Sequence, residues 1–104
     1  MAEKGDSDAQ YNLGFCYLNG QGIEKDEVKA FEWYHKAAKN NHSDAQYYLG
    51  FCYEYGKGVE KDEVKAFNLY EKSAEQGKSD AQYKLGDYYY YGKNIKKDLE
   101  KAFK

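Results

Sequence analysis

Two cysteines and two histidines are the side chains of this 104-residue chain best suited to metal binding or nucleophilic catalysis, so their spacing decides the first question. Cys16 and Cys52 lie 36 residues apart, and neither His35 nor His42 adjoins a cysteine. A zinc site requires about four converging ligands at recognised spacings, which this set does not offer, and no metal or other cofactor is expected. A Cys–His couple needs a third group to orient the base and donors for a developing oxyanion; neither is apparent, and both histidines read as surface residues without partners. The carboxylates of residues 24–27 and 60–63 alternate with lysines at a predicted helix start, where acids complement the positive end of the helix dipole. The Gly-x-Gly of GQGIEKD and GKGVEKD has no strand before it and lacks the remaining glycine or lysine of a phosphate-cradling loop. A turn accounts for it, since Asn94 stands where Gly58 does and tolerates the same left-handed backbone. These residues predict no catalytic site.

The elements that position them must be built from an aromatic-rich composition. Rings make up 18% of the chain, and 13 of them are Tyr. A tyrosine buries its apolar body while the hydroxyl stays at a wet edge, which suits a thin architecture with little deep interior. Net charge is -2, and all 16 basic residues are Lys, interleaved with 18 acids. Without a guanidinium fork or a basic stripe, no nucleic acid is expected as a partner. No apolar run approaches the ~18 residues of a membrane span, and the opening MAEKGDSDAQ has no apolar signal core. Membrane insertion is not expected.

The string SDAQY recurs at Ser7, Ser43 and Ser79, a period of 36 residues. Residues 7–38 and 43–74 agree at 23 of 32 positions, and residues 43–68 and 79–104 at 16 of 26, which sets the repeat above chance. A unit of this length cannot bury its own apolar face and must stack on the next. Ala9, Leu13, Cys16 and Tyr17 follow an i, i+4, i+7, i+8 spacing, repeated as Ala45, Leu49, Cys52 and Tyr53, which predicts a first helix. Ala30, Tyr34, Ala37 and Ala38, widened by Val28, Phe31 and Trp33 and repeated over residues 64–74, predict a second. Ser7 with Gln10, Ser43 with Gln46 and Ser79 with Gln82 fit an S-x-x-Q capping box at each first helix. Gly20, Gly56 and Gly92 are expected to end the first helices in a left-handed residue, and Asp26, Asp62 and Asp98 to cap the second.

Leu13, Gly14 and Tyr17, the Gly20-x-Gly22-Ile23 turn, Asp26, Lys29-Ala30, Trp33-Tyr34 and Lys36-Ala37-Ala38 resemble the Sel1-like repeat. The second unit repeats the pattern with Leu69 for Trp and Ser73 for Ala, and the third follows it through Leu85, Gly86, Tyr89, Gly92, Ile95, Asp98, Lys101 and Ala102. The resemblance implies an all-α fold, a right-handed α-α superhelix (solenoid) of antiparallel helix pairs, about 36 residues per repeat. Gly14, Gly50 and Gly86, with Ala30, Ala66 and Ala102, then allow close helix approach, and Leu13, Tyr17, Phe31, Tyr34 and their counterparts form the spine. Equivalent points of stacked repeats lie roughly 10 Å apart, beyond the ~7 Å that a disulfide bridges, so Cys16 and Cys52 are expected as reduced, buried, small apolar residues. The pairing of the cysteine-rich bacterial branch of this family does not transfer. Reduced thiols point to a cytoplasmic setting.

The whole chain, 1–104, reads as one domain: 1–6 the tail of a preceding repeat, 7–42 and 43–78 complete repeats, and 79–104 a truncated third, as in a fragment of a longer array or, on the near identity of two units, a designed one. Open ends would permit end-to-end self-association. The family resemblance implies a scaffold or adaptor that binds a peptide or partner protein through a groove lined by the first helices, with degradation complexes, signalling scaffolds and bacterial host-interaction proteins among its contexts. A regulatory segment of a larger enzyme, such as a signalling kinase or degradation complex, or a hydrolase-like member of the family, is the alternative. The groove positions are Tyr11, Phe15, Leu18 and Asn19, then Tyr47, Phe51, Glu54 and Tyr55, then Tyr83, Asp87, Tyr90 and Tyr91. Either these rings anchor a partner, or Tyr11, Phe15 and their equivalents pack between adjacent first helices.

Overall fold

A computed structural model describes the backbone of residues 3–91 and the side chains of residues 7–87. Within that range the chain forms five helices and no strand: α1 (Glu3–Asn19), α2 (Glu27–Ala38), α3 (Ser43–Tyr55), α4 (Glu63–Glu75) and α5 (Ser79–Tyr91). Helix α1 packs on α2 and α3 on α4, while α2 against α3 and α4 against α5 join each hairpin to the next. The body measures 44 × 28 × 20 Å, elongated as stacking requires.

Both hairpin turns use the same local chemistry. Gly20 and Gly56 each take φ 69°, a left-handed conformation that glycine adopts without a Cβ penalty. The next N–H, of Gln21 or Lys57, turns back onto the carbonyl of Cys16 or Cys52, at 3.0 and 2.9 Å. Asp26 and Asp62 then cap α2 and α4, each carboxylate accepting the N–H three residues on, of Lys29 or Lys65, at 3.1 Å. Gly92, Asn94, Asp98 and Ala102 lie outside the described residues.

The serine capping boxes do not form. His42 is the N-cap of α3, its Nδ1 accepting the Ala45 N–H at 3.1 Å, so Ser43 is already helical. Ser79 likewise lies inside α5, where Gln82 N–H bonds to the Lys78 carbonyl at 3.1 Å. The glutamines serve the junctions instead: Gln46 Nε2 donates to Asn41 Oδ1 at 3.2 Å, and Gln82 Nε2 to the Ala74 carbonyl at 3.2 Å. Ser7 sits within α1, which runs unbroken from Glu3. At the later junctions Asn41 (φ 64°) and Gly77 (φ 92°) reverse the chain onto a packed helix.

The core lies between helices. Tyr34 and Tyr70 are fully buried, as are Ala30, Ala37, Ala45, Cys52, Ala66 and Ala81. A Cβ placed on Gly14 would come within 2.9 Å of the Tyr34 ring, and one on Gly50 within 2.9 Å of the Tyr70 ring, so each tyrosine lies against bare helix backbone. At Gly86 no described atom lies within 4 Å of such a Cβ. Several packing expectations need correction. Leu13 is 37% exposed, although its counterpart Leu49 is 4% exposed, because Ala30 and Tyr34 of the first unit cover Leu49 and no described helix does the same for Leu13. Val28 and Val64, placed on the packed stripe by periodicity, are exposed on the outside of α2 and α4.

The loop of the second unit also grips the first. Gly58 passes so close to the start of α2 that a Cβ would fall on the Glu27 backbone and within 2.9 Å of Val28 Cα, and Lys57 pairs with Glu27 at 3.5 Å. Gly22 has nearly the same φ, 76° against 75°, with nothing within 4 Å. Gly22→Ala is therefore expected to cost the backbone penalty alone, about 1–2 kcal/mol, and Gly58→Ala distinctly more. Urea denaturation of the two variants measures this, and equal losses would mean that the loop contact does not hold the units together.

Candidate functional site

Rings on the first helices touch in series. Tyr11 meets Phe15 (centroids 6.4 Å apart), Phe15 meets Tyr48 (6.1 Å), Tyr48 meets Phe51 (6.2 Å) and Phe51 meets Tyr55 (4.8 Å), so the ridge crosses from α1 to α3. Tyr34 lies beneath it, stacked on Tyr48 at 5.5 Å and 16°. Tyr11, Phe15, Tyr48 and Phe51 are half-buried, and Tyr55 is 51% exposed. Exposed Asn19 closes one end, its Nδ2 donating to the Phe15 carbonyl at 3.0 Å.

The remaining sequence-derived positions fall in different surroundings. Leu18 and Glu54 point into the interior. Tyr47 is half-buried, edge-on to Tyr48 at 5.1 Å and 5.4 Å from Tyr70. Tyr83 is 73% exposed and Asp87 half-buried, while the side chains of Tyr90 and Tyr91 lie outside the described residues. The sequence reading missed Tyr48, which holds the centre of the ridge. Its column in the repeat reads Asn12, Tyr48, Lys84, and the column of Leu18 reads Glu54 one unit on. Those two columns change together, and the structure shows why.

At the first junction Leu18 and Tyr48 belong to one apolar cluster around Tyr34, whose hydroxyl has no hydrogen-bond partner among the described residues. At the second, Tyr70 Oη donates to Glu54 Oε1 at 2.6 Å, and Lys84, in the place of Tyr48, meets Glu54 at 3.2 Å. Lys84 also donates to Tyr55 Oη at 3.1 Å, and its ammonium lies 5.2 Å from the Tyr55 ring centroid. Burial alone would lower the pKa of Lys84, but its bonds to Tyr55 and Glu54 outweigh that and raise it. An apolar pair has thus been exchanged for an ion pair around the same buried tyrosine. A second contrast runs in parallel. Gln46 Oε1 accepts from Gln76 Nε2 at 2.6 Å, whereas buried Gln10 Oε1 has no described partner because Asn40, one methylene shorter, stands where Gln76 does.

His42 is not the free surface residue the sequence suggested. Its side chain is only 13% exposed, stacks on Tyr11 at 5.1 Å, and meets Asp8 Oδ1 at 2.7 Å through Nε2. Since Nδ1 accepts from Ala45, Nε2 carries the proton and donates to Asp8. With both nitrogens committed, His42 has no lone pair to take a proton from Ser7 or any nucleophile, although a cleft of about 680 Å³ lined by Ser7, Asp8, His42, Asp44 and Gln76 adjoins it. His35 is exposed, 5.9 Å from Phe31. Among the described residues no three His, Cys, Asp or Glu side chains converge as a metal requires, and no helix is long and apolar enough to cross a membrane.

Both thiols are free; Cys52 is buried and Cys16 half-buried. Burial, with Glu27 adding to it, pushes the Cys52 thiol up to about 12. The Tyr11 hydroxyl is also pushed up to about 12, chiefly by burial, then by Tyr48 and Asp44, against an opposing effect of Lys78. Burial raises Tyr34 and Tyr47 in the same direction.

The Sel1 repeat family profile matches residues 7–42, 43–78 and 79–104. Three solved structures are similar. A Sel1 repeat protein from Oxalobacter formigenes is 39% identical with a TM-score of 0.80, over 84% of this chain and 36% of that one. A protective antigen of uropathogenic Escherichia coli displaying an SLR fold is 40% identical with a TM-score of 0.82, over 88% and 20%. Cysteine rich protein B of Helicobacter pylori is 37% identical with a TM-score of 0.71, over 76% and 59%. The chain therefore spans less than two thirds of each of these structures. A search of curated proteins gives no match.

Two outcomes follow from the junction chemistry. Glu54→Leu removes the acceptor of the Tyr70 hydroxyl bond and the carboxylate facing Lys84 and is expected to cost about 1–3 kcal/mol; adding Lys84→Tyr, which recreates the first junction, should recover part of that. A double-mutant cycle by urea denaturation reads the coupling, and strict additivity would contradict it. The second concerns pH. Cys52 and Tyr11 are acids whose folded values, about 12, lie above their ordinary 9.0 and 10.0. Their stabilisation is complete below pH 9 and is lost as pH rises towards 12. Denaturation midpoints should fall across that window, and Tyr11→Phe combined with Cys52→Ala should flatten the decline; an unchanged slope would contradict the assignment.

Proposed function

Because the chain belongs to the Sel1 repeat family, we propose that it is a protein-interaction module, not an enzyme, and that it holds an extended peptide or partner helix against the ring ridge of α1 and α3. The observation that carries this reading is the ridge itself. Phe15, Tyr48, Phe51 and Tyr55 remain half open to solvent although each already packs on its neighbours. Rings held in place by other rings contribute contact area with little ordering cost, which is what aromatic anchors supply at an interface. Tyr55 is held further by the Lys84 bond to its hydroxyl. Exposed Asn19, bonded to the Phe15 carbonyl, supplies part of the polar rim such a site needs. The absence of any histidine nitrogen free to act beside Ser7 argues against hydrolysis at the adjoining cleft. Two free thiols suit a reducing compartment.

A photo-cross-linking residue placed at position 19 or 55 should capture the partner in the source organism, and one at Val64, on the outer side of α4, should not. Phe51→Ala with Tyr55→Ala should abolish capture while leaving the circular-dichroism spectrum helical. Capture from Val64 equal to that from position 55 would place the partner on the wrong side for this reading.

A further inference from the structure

Tyr48, Phe51 and Tyr55 stand on α3, the middle first helix of the array. Phe15 of α1 touches Tyr48 on one side and Lys84 of α5 bonds to Tyr55 on the other, so these three rings have a described first helix on each flank and their open faces belong to the interior of the stack. Successive rings meet at steep angles: 78° for Phe15 with Tyr48, 66° for Tyr48 with Phe51 and 56° for Phe51 with Tyr55. Rings so inclined do not tile a flat surface. Each pair leaves a notch walled by the face of one ring and the edge of the next. The polar groups set among them limit what can cover them. Tyr55 Oη accepts from the Lys84 ammonium at 3.1 Å, which leaves the phenol proton to be donated. Asn19 Nδ2 gives one hydrogen to the Phe15 carbonyl and has a second to give. None of the four ring residues is charged, and the carboxylate beside Tyr55, Glu54, is turned inward to Tyr70 and Lys84. The ridge therefore presents apolar notches and hydrogen-bond donors, and an occupant that buries those donors must supply acceptors.

Three backbone conformations meet that requirement differently. An α-helix already uses its carbonyls in its own ladder. A β-like strand has free carbonyls but brings an N–H at every residue, and the carbonyls of α1 and α3 are committed within those helices. A polyproline II segment has no internal hydrogen bonds, so each carbonyl is free to accept, and its prolines carry no N–H in need of a partner. Its pyrrolidine rings are apolar and rigid, which suits notches between aromatic rings and leaves little conformational freedom to be lost on docking. Taking the ridge as the interaction face, we propose that its occupant is an uncharged, proline-rich segment in the polyproline II conformation. Prolines fill the notches on either side of Tyr48, and backbone carbonyls accept from the Tyr55 hydroxyl and the Asn19 amide.

The test titrates the full, isotope-labelled chain with acetyl-octaproline-amide, followed by NMR. As a polyproline II helix this probe spans about 25 Å, enough to overlie the ridge from Phe15 to Tyr55, whose successive centroids are no more than 6.2 Å apart. Ring and amide signals of Phe15, Tyr48, Phe51 and Tyr55 are expected to shift saturably, with a Kd on the order of 0.1–1 mM, and added salt should leave the response unchanged because no ion pair forms. Tyr55→Phe keeps the ring and removes the proton, and should weaken binding about fivefold. Tyr83→Phe, the same change at an exposed ring of α5, should not weaken it. A leucine-faced helical peptide of zero net charge should bind more weakly than octaproline, and acetyl-Gly-Ser-Gly-Ser-Gly-Ser-Gly-Ser-amide should give no response. No saturable shift by about 10 mM octaproline, equal or tighter binding of the leucine-faced helix, or an unchanged response in Tyr55→Phe would overturn the proposal. Failure of octaproline while position 55 still captures a partner by photo-cross-linking would count against the proline-rich occupant alone; loss of both would count against the interaction face as well.

Discussion

A tyrosine ring lying on helix backbone where no Cβ intervenes is the contact on which this molecule depends. Tyr34 against Gly14 and Tyr70 against Gly50 bring each second helix onto its first helix at a distance that any larger residue would forbid. Burying such a ring stabilises by roughly 1.5–3 kcal/mol before ordering costs, and the same ring forms the floor on which the next unit stands. Tyr48 stacks on Tyr34, and Lys84 reaches over Tyr70, 6.0 Å from its centroid. One side chain thus closes a hairpin and joins it to its neighbour. This is how a chain with little deep interior acquires a continuous core.

That arrangement fixes where variation is tolerated. The glycine and the tyrosine cannot change without separating the helices, but the residues around the phenol hydroxyl can, provided that they change together. Leu18 with Tyr48 gives an apolar joint in which the hydroxyl meets no hydrogen-bond partner among the described residues; Glu54 with Lys84 gives an ionic joint that satisfies it. The exchange also shapes the surface, because Tyr48 extends the ring ridge across the first junction while Lys84 ends it by bonding to Tyr55. The chemistry of cohesion and the chemistry of the open side are therefore set by the same few positions.

Much of the fold is legible in the sequence because its causes are local. The period, the left-handed glycines Gly20 and Gly56, and the caps Asp26 and Asp62 depend on residues a few positions apart. The serine caps were misread because S-x-x-Q serves two masters. The glutamine amide reaches across the junction to Asn41 or Ala74, and His42 caps α3 itself. His42 looked partnerless for the same reason, since its partner Asp8 lies 34 residues away in sequence and meets it only through stacking. The ring ridge was legible only in part. Tyr55, Phe51 and Phe15 fall on the ridge, but Tyr48 required knowing that its neighbour across the junction is Tyr34, and Leu18 and Glu54 turn inward because that hydroxyl environment lies beneath them.

Each junction rests on its own buried tyrosine, Tyr34 or Tyr70, and the two differ in what the hydroxyl meets. Replacing that hydroxyl by hydrogen at each site tests this without opening a cavity. Tyr34→Phe removes a group that bonds to nothing among the described residues, and by urea denaturation it should leave stability unchanged or raise it. Tyr70→Phe removes the donor to Glu54 and should lower stability by about 1.5–3 kcal/mol. Equal losses from the two substitutions, or a larger loss from Tyr34→Phe, would show that the hydroxyl surroundings do not distinguish the two junctions.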